Sequence, residues 1–289
     1  MINRSVSDRN WIFSKYEENK VKKINQDLGI SELLARLLTI RKVEPEFCKF
    51  FLNPRIKNSM PNPFVLKSMG SAVDAIIKHI KNKSKICIFG DYDVDGASAS
   101  SILGKFLKHL NCDFFIFIPD RIKDGYGPTA KSFTEIINKS VNLIITVDCG
   151  TTAFEAMSLA SDKGVDVVIL DHHQSTETLP TACAIVNPNR FDEATDLTYL
   201  CAAGVSFLFL TALVSKLRDE HYFIRNEIKE PDLFNYLDLV TLGTVCDVVP
   251  LLGLNRAFVF QGLRVMAKRN NLGIKTLSDL SNINSKIST

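Results

Sequence analysis

From residue 85 onward, short apolar runs at 86–89, 114–118, 143–147 and 167–170 alternate with helix-patterned stretches near 97–110, 129–137 and 152–160. Parallel strands cannot be joined by tight turns and need a crossover, usually a helix, so this spacing predicts parallel βαβ units. Right-handed crossovers place helices on both faces of such a sheet and gather the carboxyl ends of its strands along one edge. The expected fold class is therefore α/β, a parallel β-sheet with helices on both faces, preceded by a mainly helical N-terminal segment.

Each run is followed by residues with ligand chemistry. After 86–89 come Gly90 and Asp91, after 114–118 Pro119, Asp120 and Arg121, after 143–147 Asp148, Cys149 and Gly150, and after 167–170 Asp171, His172 and His173. Any one of these acids is ordinarily a loop or helix-capping residue, and a lone histidine is ordinarily structural. Four in succession, the last with a histidine pair, point to one shared site at the carboxyl edge of the sheet.

The first of these ends carries Asp91, Asp93 and Asp95 at alternate positions. Three ionised carboxylates within five residues repel one another, and the usual relief is protonation, solvation or a hard divalent cation. Asp91, Asp93, Asp95 and Gly96 match the opening of a calcium-binding EF-hand loop, but the twelfth position, which needs a bidentate Glu, is Ile102, and a strand leads in rather than a helix. Helix capping uses one acid and the helix dipole tolerates a second, which leaves a third unexplained. Mixed Asp and His ligands without thiolates suit Mn2+ or Mg2+ better than structural zinc. The acids are too many for one ion, and two-metal sites serve phosphoryl displacement. The chain has no His-Glu-x-x-His, Gly-x-x-x-x-Gly-Lys or Gly-x-Ser-x-Gly, so metalloprotease, nucleotide-triphosphatase and serine-hydrolase chemistry lack support.

With 289 residues, 46% of them hydrophobic, the chain can bury a substantial core. Its seven cysteines form no Cys-x-x-Cys pair, as expected of reduced thiols, and residues 1–15 hold no apolar run of a signal peptide, so a cytoplasmic protein is expected. The apolar stretch 200–214 is shorter than the ~20 residues of a membrane span and contains Gly204, Ser206 and Thr211; it reads as a buried core helix, and no membrane association is expected. The first 85 residues carry 17 Lys and Arg against 8 Asp and Glu, the remainder 18 against 24. Such a basic front suits a polyanion, and solvated helix faces would produce the same count. Within it, 31–41 reads as a helix capped by Ser31 with Leu33, Leu34, Leu37 and Leu38 on one face; Pro61 and Pro63 interrupt, and a second helix spans 71–81.

The strings Ile88-Phe89-Gly90-Asp91-Tyr92-Asp93-Val94-Asp95-Gly96, Asp148-Cys149-Gly150-Thr151 and Asp171-His172-His173 resemble the ordered motifs of the DHH phosphoesterase superfamily, and within it the RecJ-like single-strand-specific DNA exonucleases. Arg121-Ile122-Lys123-Asp124-Gly125-Tyr126-Gly127, Val186-Asn187-Pro188-Asn189-Arg190 and the run from Leu242 through Asp247 to Leu251 support it, over a region from about Trp11 to about Arg269.

The resemblance implies two divalent cations, Mn2+ or Mg2+, held by Asp93, Asp95, Asp148, His172 and Asp247, with Asp148 between them and Asp91 as a further ligand or supporting acid. His173 and Asp171 are the implied catalytic pair, His173 against the scissile phosphate and Asp171 holding the histidines by hydrogen bonds. Arg121 and Asn187 are the implied substrate contacts, Arg121 because guanidinium grips two phosphate oxygens; by itself it would read as equally suited to a surface salt bridge. Ser98, with Ser100 and Ser101 at the helix start, is a further expected substrate contact, offering hydroxyls or backbone N–H groups to phosphate, although serine there is also common simply as a cap. Asp247 would not be chosen on spacing, since 245–251 otherwise reads as a helix end or short strand. The implied organisation is a basic helical segment at 1–83, a catalytic domain at 84–269 and a tail at 270–289. The implied activity is hydrolysis of single-stranded DNA from its 5′ end in DNA repair and recombination.

Two departures stand out. Asp124 occupies a position where the family usually has Glu, and no Gly-Gly-His follows, so the DHH-associated domain and the OB-fold of the family are expected to be absent and a partner chain to supply them. Two alternatives stay open, a small-substrate DHH phosphatase or oligonucleotidase and a non-catalytic truncated remnant. The small-substrate relatives place a His four residues before the second acid, where this chain has Phe89.

Overall fold

The computed structural model describes Ser7, Arg9 and residues 12–283; Trp11 and residues 284–289 of the expected tail lie outside the described residues. The chain divides into two compact units, Met1–Arg55 and Ile56–Thr289.

The first unit is helical, with α1 (Glu18–Leu28), α2 (Glu32–Ile40) and α3 (Cys48–Leu52). Ser31 accepts a hydrogen bond from Leu34 N at 3.3 Å and so caps α2 as expected. The buried face of α2 differs from the expected leucine row: Ala35 and Leu38 are buried with Val21, Ile24 and Cys48, while Leu33 and Leu37 are exposed. Ala35, being small, lets α1 close on that stripe, which rotates the outer leucines away from it.

The second unit begins with α4 (Ile56–Ser59) and α5 (Met69–Lys81) and continues through β1 (Ile86–Gly90), α6 (Val94–His109), β2 (Phe114–Phe117), α7 (Ala130–Ile137), β3 (Leu143–Val147), α8 (Phe154–Asp162), β4 (Asp166–Leu170) and β5 (Ala184–Val186). It ends with α9 (Ala202–Asp219), α10 (Tyr222–Arg225), α11 (Leu237–Cys246), α12 (Gly253–Met266) and α13 (Leu272–Leu280). The division falls well before residue 84 because α5 packs against β5 and α9 and belongs to the sheet's own layers. Residues 272–280, expected as tail, form α13, capped by Asn271.

All strands are parallel, in the order β2-β1-β3-β4-β5. The alternation of side chains decides the layers. Ile86 and Ile88 turn to one core with Ile102, Leu103 and Phe106 of α6 and the apolar length of α9, whereas Cys87 and Phe89 turn to the other with Phe133, Ile136, Ala156 and Met157 of α7 and α8. Helices thus cover both faces, as expected. The chain steps from β1 outward to β2 and then back past β1 to β3, so the direction of winding reverses between β1 and β3, and the crevice at their carboxyl ends is the topological switch point where open α/β sheets bind ligands. The 200–214 stretch is the buried helix α9, and no helix among the described residues is long and apolar enough to cross a membrane.

Candidate metal centre

At the end of β1 the backbone turns sharply into α6. Asp91 N–H still reaches the carbonyl of Val147 on β3 at 3.3 Å, and Asp93 caps the helix by accepting Gly96 N–H at 2.9 Å. The cap starts α6 at Val94 rather than at 97 and leaves Asp95 in the first turn, aimed inward and 1% exposed. A side chain at Gly96 would put a Cβ 2.6 Å from the carbonyl oxygen of Asp91, so only glycine lets the helix start this close to the strand end. Asp95 also accepts Ala202 N–H at 2.5 Å and Ala203 N–H at 2.9 Å, which fastens the carboxylate to the positive N-terminus of α9.

Asp148 leaves β3 with a φ of 63°, a left-handed conformation uncommon outside glycine, and its N–H bonds the Leu170 carbonyl at 3.0 Å. Its carboxylate is buried and neither oxygen has a hydrogen-bond partner. Burial first, then the charges of Asp95 and Asp93, push its pKa up to about 10. Asp91, with an unpartnered Oδ1, and Asp247 are likewise raised by burial. Asp95 is raised mainly by burial, against the Ala203 N–H that lowers it.

After β4, Asp171 is spent on internal bonds. It accepts from His172 N at 2.7 Å, His173 N at 3.2 Å, His173 Nδ1 at 2.8 Å and Thr151 N at 3.1 Å. Burial raises its pKa, and the bonds from His173 and Thr151 outweigh that and hold it below the usual carboxylate range. Its hydrogen bond in turn raises His173. The His172 ring points into the crevice, with Nε2 3.2 Å from Asp148 Oδ1, 3.7 Å from Asp247 Oδ2 and 3.9 Å from Asp95 Oδ2, and this nitrogen too has no hydrogen-bond partner.

Asp247 arrives last in the chain, as the residue closing the C-terminus of α11. An acid there faces the negative end of the helix dipole, an unfavourable place unless a cation compensates. The approach of α11 depends on Gly243, where a Cβ would lie 2.5 Å from Asp95 Oδ1 and 2.8 Å from the Ala203 side chain.

The six expected ligands and His173 converge. Three groups have ligand atoms within 4.8 Å of one another: Asp91, Asp93 and Asp148; Asp95, His172 and Asp247; and Asp148, His172 and His173. Asp148 and His172 each occur in two of these, so the groups overlap around a shared pair. A cluster of buried, unpartnered oxygens with raised pKa values and an unpartnered imidazole nitrogen fits hard divalent cations and has no internal solution among the described residues.

The other expected contacts fall elsewhere. Arg121 is exposed on the loop after β2, its guanidinium 5.1 Å from the ring centre of Tyr92 at the mouth of the site. Ser98 is 2% exposed beneath Gly243, and Ser100 is buried against Gly90, so neither faces the crevice as a helix-start hydroxyl. Asn187 has no exposed surface; its amide donates to Thr151 Oγ1 at 2.9 Å and the His173 carbonyl at 2.8 Å, and it braces the histidine loop from behind instead of facing a substrate. Asp124 pairs with Lys131 at 2.9 Å and accepts Asp120 N at 3.1 Å, a loop fastening. Phe89 packs 5.5 Å from Phe117 and 5.9 Å from Phe133, away from the cluster.

Sequence reasoning gave no role to Tyr126, whose hydroxyl donates to the Asp148 carbonyl at 3.2 Å, or to Asn189, which donates to the His172 carbonyl at 2.6 Å. Both stand within quoted motifs, which was the available signal. The α9 N-terminus has no side-chain signal at all, because its donors are backbone amides.

Comparisons with known proteins bear on the fold that carries this cluster. The model of the DHH family, N-terminal domain, matches residues 85–244. The single-stranded-DNA-specific exonuclease RecJ of Bacillus subtilis (strain 168) is 35% identical over 277 residues, covering 96% of this chain and 33% of that protein. RecJ from Thermus thermophilus, solved in complex with Mn2+, superposes with a TM-score of 0.73 at 27% identity, over 93% of this chain and 36% of that one. Its structure in complex with Mg2+ gives a TM-score of 0.63 at 25% identity, over 93% and 33%. The chain thus spans about a third of the length of these relatives.

Proposed function

We propose, from the premise that this chain belongs to the DHH family, that it hydrolyses phosphodiesters of single-stranded DNA from the 5′ end with two divalent cations, Mn2+ or Mg2+. The observation that carries the reading is Asp148, whose two buried oxygens have no partner while Asp91, Asp93, Asp95, His172 and Asp247 surround it. Asp91, Asp93 and Asp148 would hold one ion and Asp95, His172 and Asp247 the other, with Asp148 placed to serve both. When bound, the pair of cations would neutralise the acids and the phosphate and lower the pKa of a water.

The rest belongs to the chain's own residues. His173, oriented by Asp171 and exposed on its outer side, donates to the scissile phosphate. Arg121, at the crevice mouth, holds a neighbouring phosphate. The setting we propose is cytoplasmic DNA repair and recombination, with a partner chain contributing strand-binding surface of the kind the basic, aromatic faces of OB-folds provide.

The test measures Mn2+ binding by calorimetry and release of nucleotides from 5′-labelled single strands. Wild-type protein binds the ion and shortens the strand, and the Asp148→Ala, His172→Ala double variant does neither; equal Mn2+ affinity in the two would sink the reading. Dinucleotides offered beside long strands separate it from a small-substrate phosphatase, which would prefer the dinucleotide.

A further inference from the structure

The loop between β2 and α7 reaches into the crevice with one side chain. Gly125 and Gly127, with φ of 79° and 73°, flank Tyr126 in conformations that L side chains resist, so the backbone folds around that residue. The loop is fastened on itself, with Asp120 Oδ1 accepting Ile122 N at 2.9 Å and Lys123 N at 3.1 Å, and Asp124 accepting Asp120 N at 3.1 Å while paired with Lys131 at 2.9 Å. The Tyr126 side chain is therefore presented by a fixed frame.

Its ring is half exposed, yet its hydroxyl lies inside, bonded to the Asp148 carbonyl and 3.2 Å and 3.4 Å from Nδ1 and Nε2 of His173. The two rings meet edge-on, with centroids 5.7 Å apart and planes at 73°. Asp171 holds the same imidazole by Nδ1 at 2.8 Å. With the Tyr126 proton on the Asp148 carbonyl and the Nδ1 side of His173 on Asp171, the hydroxyl oxygen abuts the ring edge and leaves Nε2 to face a phosphate; that contact and the Asp171 bond, from different elements, together restrict the plane of the ring.

We infer that Tyr126 is the positioning residue for His173: its hydroxyl, set by the Asp148 carbonyl, locks the imidazole in the orientation that faces a phosphate on the cluster. Since Arg121 belongs to the same loop, the loop's placement and the histidine's orientation are coupled, and a phosphate held at the mouth reinforces the alignment at the centre. The inference rests on the phosphodiesterase reading for its kinetic consequence and on the geometry alone for its structural one.

The experiment compares wild type, Tyr126→Phe and Tyr126→Ala with the full chain and three readouts. Histidine-ring NMR of the Mg2+-loaded protein reports orientation: in Tyr126→Phe the His173 ring signals shift and broaden while those of His79, remote from the cluster, do not. Turnover on saturating 5′-phosphorylated single strands falls roughly 10- to 100-fold in Tyr126→Phe, the penalty of a misaligned group. KM and Mn2+ affinity stay within about threefold, as expected when a group acts after binding, and Tyr126→Ala matches Tyr126→Phe in the NMR readout because the hydroxyl is what both lack. Unchanged His173 signals, wild-type turnover in Tyr126→Phe, or a loss of Mn2+ affinity in step with turnover would each overturn the inference. If wild type cleaves no strand, the phosphodiesterase reading fails, and the NMR readout still decides whether Tyr126 orients His173.

Discussion

Asp148 and His172 leave the ends of neighbouring strands and bring Oδ1 and Nε2 within 3.2 Å, yet neither atom has a hydrogen-bond partner. Two polar atoms this close that do not bond each other suit a common third partner, and with the surrounding acids that partner would be a cation. The Asp148→Asn variant keeps the shape and removes the charge. It is expected to weaken Mn2+ binding by about 100-fold or more, in line with loss of a shared ligand, and to melt at higher temperature than wild type when both are metal-free. Calorimetric titration and a thermal melt in chelator check the two halves.

The metal-free protein should lose stability as pH rises. Asp148 has a folded pKa of about 10, against an ordinary carboxylate value near ~4 in the unfolded chain. Below the lower value both states carry the proton; between the two only the folded state does, so its stabilising contribution is full at low pH and is lost as pH climbs through the window. Asp91, Asp95 and Asp247 are raised in the same direction. Thermal melts from pH 5 to pH 9 in chelator should slope downward, and saturating Mn2+ should flatten the slope, because binding replaces the protons. A flat metal-free series would refute the burial of an unpaired carboxylate.

Asp95 and Asp247 should have opposite effects on the metal-free fold. Asp95 accepts two amides at the start of α9, and Asp95→Ala should cost about 1 to 2 kcal/mol, as for a lost helix cap. Asp247 sits at the negative end of α11, and Asp247→Asn should be neutral or stabilising by up to about 1 kcal/mol. Urea unfolding without metal measures both, and both variants should bind Mn2+ more weakly than wild type.

Gly243→Ala should damage the site without replacing a ligand. The added methyl would lie 2.5 Å from Asp95 Oδ1 and 2.8 Å from the Ala203 side chain, so α11 must retreat and carry Asp247 with it. Overpacking of this kind costs about 1 to 3 kcal/mol. Unfolding in urea and Mn2+ titration should both report a loss; unchanged affinity would mean that Asp247 does not depend on the approach of α11.

Much of this molecule was legible in its residues. Four of five strands stood out because each is a continuous apolar run bounded by polar residues, whereas β5, only Ala184–Val186, is too short to show a period. The burial of α9 followed from its nearly uninterrupted apolar surface. On α2 the leucine row was visible, but which stripe met α1 was not, because that depends on where the small Ala35 lets the helices touch. Asp91, Asp93, Asp95, Asp148, His172 and His173 could be gathered from strand ends alone; Asp247 needed the family motif, since nothing in 245–251 announces that a helix terminus will arrive opposite β4. Asn187 was placed on the substrate side by its motif and Ser98 by its position at a helix start, and neither signal says whether a residue faces the crevice or supports it from behind.

By itself the sequence determined the class of fold, the edge of the sheet that carries the chemistry and the kind of cation such acids demand, because alternation, strand length and charge are local properties that tertiary contacts cannot reverse. Only the tertiary structure decided how the acids share their work. It tied Asp95 to the amides of α9, spent Asp171 on the histidine loop, left Asp148 without a partner and brought Tyr126 against His173. Those outcomes depend on which backbone amide or ring lies within about 3 Å of which oxygen, the range over which a hydrogen bond holds, and that distance is set by packing between elements far apart in the chain.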